Sequence, residues 1–399
     1  MQKFPHRMPH ILLGITGGIA AYKTAELVRL LIKQGVSVQV AMTEAATHFI
    51  TPTTMQALSG LPVFVDSWDQ RIHNGMPHIE LSRQADLILI APGSADFIAK
   101  LAHGTANDLL STLCLARECP LLVAPAMNKQ MWENPATQRN IAQLELDDIT
   151  LLGPESGEQA CGEIGAGRVL EPETLLEGVL ACLTPKLLAG RKILITAGAT
   201  IEMLDPIRGI TNQSSGKMGF SLAAMATRMG AEVTLVYGQT TTSLPPVQHA
   251  VHAPSAESMY LAVMQQVAHQ EIFIAVAAVA DYSPKQTSSQ KIKKSEPTLT
   301  IELKRNRDIL AEVASLPNPP YCVGFAAETE QVIAYASQKR IAKNIPMIIA
   351  NHAVSAIGND ENTVTIIDDS GHTTLPQSNK IEIAHQILTY LSQQLNTSA

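Results

Sequence analysis

Residues 10–42, HILLGITGGIAAYKTAELVRLLIKQGVSVQVAM, decide how the chain folds. An apolar run ends in Gly17 and Gly18, a segment with helical periodicity occupies 19–34, and a second apolar run follows Gly35. Continuous apolar runs are typical of parallel strands that are buried on both faces. The stretch therefore predicts a strand, a helix and a strand, which is the repeating unit of a parallel α/β sheet. The predicted buried face of the helix consists of Ala21, Ala25, Val28 and Ile32.

The same alternation continues along the chain and then starts again. ADLILIAP (85–92) and PLLVAPA (120–126) predict further buried strands, and a linker is predicted near 183–191. After the linker, strands are predicted at 192–200, 231–238, 271–281, 321–328 and 346–354, with a hairpin at 362–376 and a helix at 379–395. At roughly 100–200 residues per domain, the 399 residues allow two domains. We therefore predict an α/β chain of two tandem doubly wound parallel-sheet domains, 1–190 and 191–399.

Composition narrows the functional classes. The net charge of -7 gives no reason to expect nucleic acid or an anionic membrane as partner. No apolar run reaches the ~18–20 residues that a membrane helix needs. The five cysteines include no CxxC pair, which argues against a disulfide framework or a zinc site and favours a reducing cytoplasm.

Three turns in the first half carry small or polar residues directly after predicted strands. They contain Gly17 and Gly18, Thr43, and Ser94. Ligands of open α/β sheets bind at the carboxyl ends of the strands, and glycine turns before helices accept phosphate. The pattern favours a cofactor with a single phosphate such as FMN, although tight packing alone would also explain the glycines.

Three further motifs stand in the order HIELSRQADLILIAP (78–92), APAMNKQMW (124–132) and ACGEIGAGR (160–168). Alone, each key residue has an ordinary explanation: His78 could cap a helix, Asn128 could form a turn, and Cys161 could be a small buried apolar residue. Together the motifs resemble the flavin-containing cysteine decarboxylases, among them phosphopantothenoylcysteine decarboxylase, over about 1–190. The resemblance implies a flavodoxin-like fold with FMN, assembled as trimers, and functional roles for His78, Asn128 and Cys161.

The implied chemistry explains why a flavin and a thiol would act together. A carboxylate beside a thiol-bearing carbon does not lose CO2 readily, because the resulting carbanion has no electron sink. Oxidation of the thiol to a thioaldehyde, with FMN as acceptor, would provide that sink. The enethiolate that forms must then be reduced and protonated, and a thiol of ordinary pKa near 8.5 can donate a proton at neutral pH. We expect Cys161 to be this acid on a glycine-hinged flap, Asn128 to hold the substrate carboxylate, and His78 to act in the oxidation step as base or orienter.

The second half contains basic and polar clusters in an otherwise acidic protein. KIKK (291–294) and KRNRDIL (304–310) bring together cations that favour a polyphosphate ligand, although a solvated loop would also explain KIKK. DPIRGITNQSSGKMG (205–219), AAVADY (277–282), KIKK, GFAAET (324–329) and QKRIAKN (338–344) resemble phosphopantothenate–cysteine ligase over about 191–399. The resemblance implies a Rossmann-like ligase domain that uses CTP with Mg2+. The pantothenate carboxylate would form an acyl-cytidylate, and the amine of cysteine would then displace CMP.

The resemblance also implies roles for individual residues of the second half. Asn212 would contact the acyl-cytidylate, and Lys291 would neutralise the reacting phosphates from a loop predicted to be mobile (282–298). The nucleotide site would be lined by Asp281, Lys291, Arg307, Asp308, Ile309, Leu310, Phe325, Lys339 and Lys343. No side chain is assigned to Mg2+, which would be held largely through the CTP phosphates.

Taken together, the two halves resemble the bifunctional coenzyme A biosynthesis proteins of bacteria. We therefore expect an enzyme that joins cysteine to 4′-phosphopantothenate and decarboxylates the product to 4′-phosphopantetheine. Trimeric flavin domains and dimeric ligase domains would combine into a homo-oligomer, a dodecamer. Two alternatives stay open: a flavin-fold regulatory subunit, and a nicotinamide oxidoreductase, against which the absence of GxGxxG counts.

Overall fold

The computed structural model describes residues 8–69, 71, 75–293, 297–352 and 359–397. The chain divides into two compact units, Met1–Thr184 and Pro185–Ala399, here called unit 1 and unit 2. The division falls inside the segment 183–191, where the sequence predicts a linker. In the part of the chain that is described, no helix is both long and apolar enough to span a membrane.

Unit 1 alternates strands and helices from its start. Its elements are β1 (His10–Ile15), α1 (Lys23–Lys33), β2 (Ser37–Met42), α2 (Pro52–Ser59), α3 (Pro77–Gln84), β3 (Leu87–Gly93), α4 (Ala95–Ala102), α5 (Leu109–Leu115), β4 (Leu121–Pro125), α6 (Lys129–Glu133), α7 (Pro135–Leu146), β5 (Thr150–Leu151), β6 (Glu155–Glu158), β7 (Ile164–Arg168) and α8 (Pro172–Leu183). Short 3-10 turns at Ile19–Tyr22 and Glu44–His48 follow the first two strands.

The main sheet of unit 1 has five parallel strands in the order β2-β1-β3-β4-β5. This order is that of a flavodoxin-like doubly wound fold, as predicted. From β1, the chain adds β2 on one side of the sheet and then β3 to β5 on the other side. The carboxyl ends of β1 and β3 therefore border a crevice at the edge where ligands bind. A separate antiparallel hairpin, β6–β7, contributes no strand to this sheet.

Helix α1 shows how the opening stretch folds. The predicted helix at 19–34 begins as a 3-10 turn, and the α-helix starts only at Lys23. Its buried face contains Leu27, Val28 and Leu31 rather than Ile32, which is 41% exposed. The predicted face was therefore rotated by one residue at its carboxyl end, where Leu31 and not Ile32 faces the sheet.

Unit 2 contains a larger set of elements. They are β8 (Lys192–Ala197), β9 (Ile201–Met203), β10 (Gly209–Thr211), α9 (Lys217–Arg228), β11 (Glu232–Tyr237), β12 (His249–His252), α10 (Ala256–Gln266), β13 (Ile272–Ala275), β14 (Tyr282–Pro284), β15 (Leu303–Arg305), α11 (Ile309–Ala314), β16 (Tyr321–Glu328), α12 (Val332–Ala342), β17 (Met347–His352), β18 (Glu361–Asn362), β19 (Val364–Asp368), β20 (Gly371–Thr374), β21 (Ser378–Asn379) and α13 (Lys380–Thr397). A 3-10 turn, Val267–His269, follows α10.

The main sheet of unit 2 has the order β12-β11-β8-β13-β16-β17-β19-β20. Its first six strands are parallel, and the predicted hairpin β19–β20 adds an antiparallel edge. Counted along the chain, the parallel strands follow the Rossmann order, with the reversal between β8 and β13. The predicted fold class is thus confirmed for both units.

One predicted strand is too long. The pattern of EIFIAVAAVAD predicts a strand that reaches Asp281, but β13 ends at Ala275. Beyond it the backbone binds the turn that follows β8: Ala278 donates to the Gly198 carbonyl, and Thr200 donates to the Ala278 carbonyl. This exchange turns the chain away from the sheet, so Asp281 stands in a loop before β14.

Helix α13 closes the core of unit 2. Ile383, Ile387, Leu388 and Leu391 are fully buried in one cluster with strand residues that include Ile195. The core of unit 1 is closed in the same way by α8, which buries Leu175, Leu176 and Val179.

Candidate functional site

A cavity of ≈ 670 Å³ opens at the carboxyl edge of the unit 1 sheet. Its volume lies within the range of about 300–1,000 Å³ that is usual for ligand pockets. It brings together residues from four predicted segments, namely Gly17 and Gly18, Ser94, Asn128 and Cys161. Thr43 and His78 are absent from the described residues that line it.

The glycines form a backbone wall of this cavity. A Cβ atom on Gly17 would lie 2.7 Å from the Ala45 Cβ, so this position leaves no room for a side chain. A Cβ atom on Gly18 would meet no protein atom within 4 Å, and its backbone is extended (φ 168, ψ 151). Gly18 therefore presents bare backbone to the cavity, which suits the close approach of a phosphate or another polar group.

Thr43 and Ser94 act as helix caps. The Thr43 hydroxyl accepts a hydrogen bond from the Ala46 N–H (3.3 Å), and the Ser94 hydroxyl accepts one from the Phe97 N–H (3.2 Å). Thr16 supports the turn that contains Ser94, because the Thr16 hydroxyl accepts a hydrogen bond from the Ser94 N–H (2.9 Å). A cap leaves a hydroxyl proton available, so Ser94 can still donate to a ligand in the cavity.

Asn128 is oriented by its position at the start of α6. Its Oδ1 accepts from the backbone N–H groups of Gln130 (2.9 Å) and Met131 (3.4 Å). These bonds assign the amide oxygen to the helix, so the Nδ2 donor points away from it, toward Glu163 and Cys161.

The β6–β7 hairpin carries Cys161 at its tip, exposed at the cavity. The hairpin crosses the segment after β4 closely, since the Met127 N–H donates to the Gly167 carbonyl (2.9 Å). A Cβ atom on Gly167 (φ 128) would collide with the Met127 carbonyl oxygen, so the crossing requires glycine. Gln159 fastens the same crossing by accepting from the Lys129 N–H (3.0 Å).

Sequence reasoning missed two charged groups of this site. The Glu163 carboxylate accepts from the Asn128 Nδ2 (2.6 Å) and lies 3.7 Å from the Cys161 Sγ. Lys23 is 7% exposed, lines the cavity and pairs with Glu171 (2.9 Å). Glu163 lay inside a quoted motif, and Lys23 ended the glycine turn, but only the folded chain brings Lys23 to the cavity wall and Glu163 beside Asn128 and Cys161.

His78 lies half-buried in the first turn of α3, as its position after Pro77 predicts. Within the described part of unit 1, the cavity that holds Asn128 and Cys161 does not include it. The structure therefore leaves its predicted role in the oxidation step without a contact in this unit.

In unit 2, predicted residues meet where the sheet reverses. The Asn212 Nδ2 donates to the Ala278 carbonyl (2.6 Å), and the Asn306 Nδ2 donates to the Ala280 carbonyl (2.8 Å). The Asn306 N–H also donates to the Asp281 carbonyl (2.8 Å). Two amides thus hold the loop after β13, leaving the Asp281 side chain exposed at the carboxyl edge. Asn306 was not among the predicted site residues.

Lys291 is exposed on a segment that is held by Asp205, which is fully buried. The Asp205 carboxylate accepts from the Ile292 N–H (3.1 Å) and from the Arg208 guanidinium (2.6 Å). Burial alone would raise the pKa of Asp205, but these bonds and the Ile207 N–H hold that pKa well below its usual range. The segment predicted to be mobile is therefore tied down beside Lys291; Lys294 of the KIKK motif lies outside the described residues.

Asp205→Asn is expected to release this segment. An amide has one accepting oxygen where the carboxylate has two, so the bond to Ile292 or the bond to Arg208 is lost. Trypsin should then cleave after Lys291 several-fold faster.

The same hydrogen bonds should depend on pH. Because the pKa of Asp205 is lower in the folded than in the unfolded state, these bonds are complete above the unfolded-state pKa of about 3.9 and are lost as the pH falls further. Limited proteolysis at pH 7 measures the effect, with Asp368→Asn as a control on β19. Equal cleavage of native and Asp205→Asn protein would contradict the tether.

Several of the remaining predicted nucleotide residues lie at the amino end of α11. Asp308 caps this helix and pairs with Lys343 (2.8 Å), and although partial burial opposes it, this pairing holds the Asp308 pKa below its usual range. The side chains of Ile309 and Leu310 are buried in the core, so only their backbone can meet a ligand. The other members are Lys339, paired with Glu328 (2.6 Å), Arg307, stacked on Tyr260 (4.4 Å), and Phe325, partly buried in β16.

Comparison with known proteins covers both units. Residues 3–184 match the sequence family described as Flavoprotein, and residues 188–395 match the DNA/pantothenate metabolism flavoprotein C-terminal domain. The chain is 49% identical over 391 residues to the coenzyme A biosynthesis bifunctional protein CoaBC of Vibrio cholerae, covering 96% of this chain and 98% of that protein. It is 48% identical over 386 residues to the protein of that name from Escherichia coli K12, covering 95% of each. A crystal structure of the C-terminal domain of a CoaBC protein is 39% identical, with a TM-score of 0.47, covering 53% of this chain and 99% of that chain.

Proposed function

The chain belongs to the family of coenzyme A biosynthesis bifunctional proteins, and on that premise we propose how its two units divide the work. The protein is a flavoprotein enzyme with decarboxylase and ligase activities that acts on small molecules. Residues 1–190 would bind FMN and decarboxylate phosphopantothenoylcysteine to 4′-phosphopantetheine. Residues 191–399 would first join cysteine to 4′-phosphopantothenate with CTP. With this family, the regulatory-subunit and nicotinamide alternatives are set aside.

The observation that carries the first assignment is the single cavity that joins Gly17, Gly18 and Ser94 to Asn128 and Cys161. The bare backbone at Gly18 and the cavity volume fit a flavin mononucleotide. When bound, FMN supplies a two-electron acceptor for the substrate thiol and returns the electrons later. Gly17, Gly18 and Ser94 would hold it at the turns that follow the strands, and Thr43 stays a proposed contact from the neighbouring turn, outside the described lining of this cavity.

The side chains of this cavity have separate tasks. Asn128 presents a fixed N–H donor that suits the substrate carboxylate. When the carboxylate leaves as CO2, that hydrogen bond is broken. Cys161 gives its S–H proton to the carbon that has become electron-rich. The hairpin that carries it would cover the substrate and exclude water. For His78 we keep the proposal of a base or orienter in the oxidation step.

Unit 2 would position the reacting groups of the substrates and neutralise the negative charge of the CTP phosphates. The carboxylate of 4′-phosphopantothenate attacks the α-phosphorus of CTP and pyrophosphate leaves; the amine of cysteine then attacks the acyl carbon and CMP leaves. Asn212 would contact the acyl-cytidylate, and Lys291 would neutralise the phosphates. The nucleotide would lie against Asp281, Phe325, the 307–310 segment, Lys339 and Lys343. Among the described residues, no three His, Cys, Asp or Glu side chains form a metal cluster, so we assign Mg2+ to the CTP phosphates.

We further propose a homo-oligomer, a dodecamer built from trimers of the first domain and dimers of the second, in the cytoplasm. Among the described residues none of the five cysteines forms a disulfide, which fits a reducing compartment.

The whole assignment is tested with purified protein, 4′-phosphopantothenate and cysteine. With CTP we expect CMP and CO2 in equal amounts, and with ATP we expect little of either product. Protein that contains flavin but releases no CO2 from phosphopantothenoylcysteine would contradict the decarboxylase assignment.

Gly18→Val is expected to weaken FMN binding about tenfold or more while unit 1 stays folded. The valine meets no protein atom near its Cβ, and its backbone conformation is open to any residue, but it occupies the cavity wall. Gly17→Ala should instead lower thermal stability, because its Cβ meets Ala45. Titration of FMN into apoprotein, followed by flavin fluorescence, measures the first effect. Unchanged affinity of Gly18→Val protein would remove this turn from the flavin site.

A further inference from the structure

The Glu163 carboxylate is held by the side chains around the thiol. Its Oε2 accepts from the Asn128 Nδ2 at 2.6 Å and lies 3.7 Å from the Cys161 Sγ, while its Oε1 accepts from the Gln130 Nε2 at 3.0 Å. An anionic acceptor makes these hydrogen bonds stronger than neutral ones. Glu163 therefore connects the hairpin tip to the amino end of α6, as the bond from the Lys129 N–H to Gln159 also does.

The Glu163 carboxylate accepts a hydrogen bond from the Asn128 amide, the group that is proposed to bind the substrate carboxylate. The Asn128 Oδ1 is committed to two backbone N–H groups, so only Nδ2 can meet a ligand. One of its two N–H bonds is directed at Glu163, and the amide also lies 3.8 Å from the Cys161 Sγ. A substrate carboxylate that binds this amide meets a carboxylate already in place.

We propose that Glu163 is a positioning residue that exchanges with the substrate carboxylate on the Asn128 amide. The inference rests on the proposed decarboxylase function and deepens it. Substrate displaces Glu163 when it binds, and the departure of CO2 leaves the amide without an acceptor, so Glu163 returns.

The turn that carries Glu163 couples this exchange to the thiol. The Gln159 N–H donates to the Glu163 carbonyl and the Gly162 N–H donates to the Gln159 carbonyl, both at 2.8 Å, so 159–163 forms one tight turn. Cys161 lies on this turn, two residues from Glu163. The return of Glu163 to Asn128 therefore brings the thiol back to the site after CO2 has left, when the proton is needed.

The test compares two ligands that lack a thiol and so cannot be oxidised as the substrate is. N-(4′-phosphopantothenoyl)serine carries the carboxylate, and N-(4′-phosphopantothenoyl)ethanolamine does not. In Glu163→Gln protein the competing acceptor is neutral and no longer repels a carboxylate, so affinity for the serine compound should rise about fivefold. Affinity for the ethanolamine compound should stay within about twofold. Isothermal titration calorimetry on flavin-loaded protein measures both.

Two further variants keep the test sharp. Gln130→Ala removes a support of Glu163 from an exposed position and should shift affinity in the same direction by less. Glu155→Gln changes an exposed carboxylate of the same hairpin and should alter neither affinity. Flavin content and melting temperature establish that each variant is folded.

The outcomes separate the two levels of inference. If both compounds bind native protein but Glu163→Gln weakens the serine compound, or shifts both compounds equally, the exchange is wrong. If neither compound binds native protein, the proposed decarboxylase function itself fails, and the exchange fails with it.

Discussion

Replacement of Cys161 by serine is expected to abolish steady-state decarboxylation while one round of oxidation persists. Serine has nearly the size of cysteine, but its hydroxyl is a far weaker acid than a thiol. Loss of a positioned acid typically costs about 10²–10⁴ in rate. The exposed tip of the hairpin tolerates the change, since Cys161 contributes nothing to the core. Addition of phosphopantothenoylcysteine should bleach the visible flavin absorbance once and leave an oxidised, decarboxylated compound.

Stopped-flow absorbance and mass spectrometry of the released compound measure this result. Cys119→Ser is the matched control, because Cys119 is half-buried outside the cavity and burial raises its thiol pKa. The control should turn over normally. Normal turnover by Cys161→Ser protein would refute the role of this thiol as the acid.

Lys291→Gln is expected to remove ligation and leave decarboxylation of supplied phosphopantothenoylcysteine intact. The exposed ammonium group lies on the segment that Asp205 holds in place, and it would meet phosphates whose negative charge must be neutralised. Removal of one preorganised charge of this kind typically costs about 10²–10³ in rate. Release of CMP and release of CO2, followed separately, measure the two activities.

Lys285→Gln provides the control for the ligase experiment. Lys285 is an exposed lysine of the same stretch, paired with Glu302 just beyond the end of the β14–β15 pairing. Its replacement should change ligation little. Undiminished CMP release by Lys291→Gln protein would contradict the assignment, and loss of both activities would point to misfolding.

The sequence predicts the architecture of both units because the strands are nearly all apolar and the helices between them are regular. Such runs can only be buried on both faces, which limits the sheet to a parallel one. The end of β13 could not be predicted, since Val276 to Ala280 are as apolar as the strand. What ends it is a tertiary exchange of hydrogen bonds with the turn at Gly198, which no local pattern contains.

Residues of the candidate site could be predicted only where they belong to a motif that is recognisable in the sequence. Asn128 and Cys161 were singled out and lie in one cavity, 3.8 Å apart. Asp205 and Glu163 stood inside quoted motifs, yet acidic residues in loops are usually solvated, and their buried or bridging positions follow from contacts between distant segments. Ile309 and Leu310 show that residues of a nucleotide motif can also serve the core, which leaves only their backbone to meet a ligand.

The position of α13 sets an order of folding during synthesis. Unit 1 has its whole core once α8 has left the ribosome, whereas unit 2 lacks Ile387 and Leu391 until about 200 further residues have been added. At roughly 5–20 residues per second, the nascent first domain has on the order of ten seconds or more to mature alone. Flavin can therefore be captured cotranslationally, before the second catalytic unit exists.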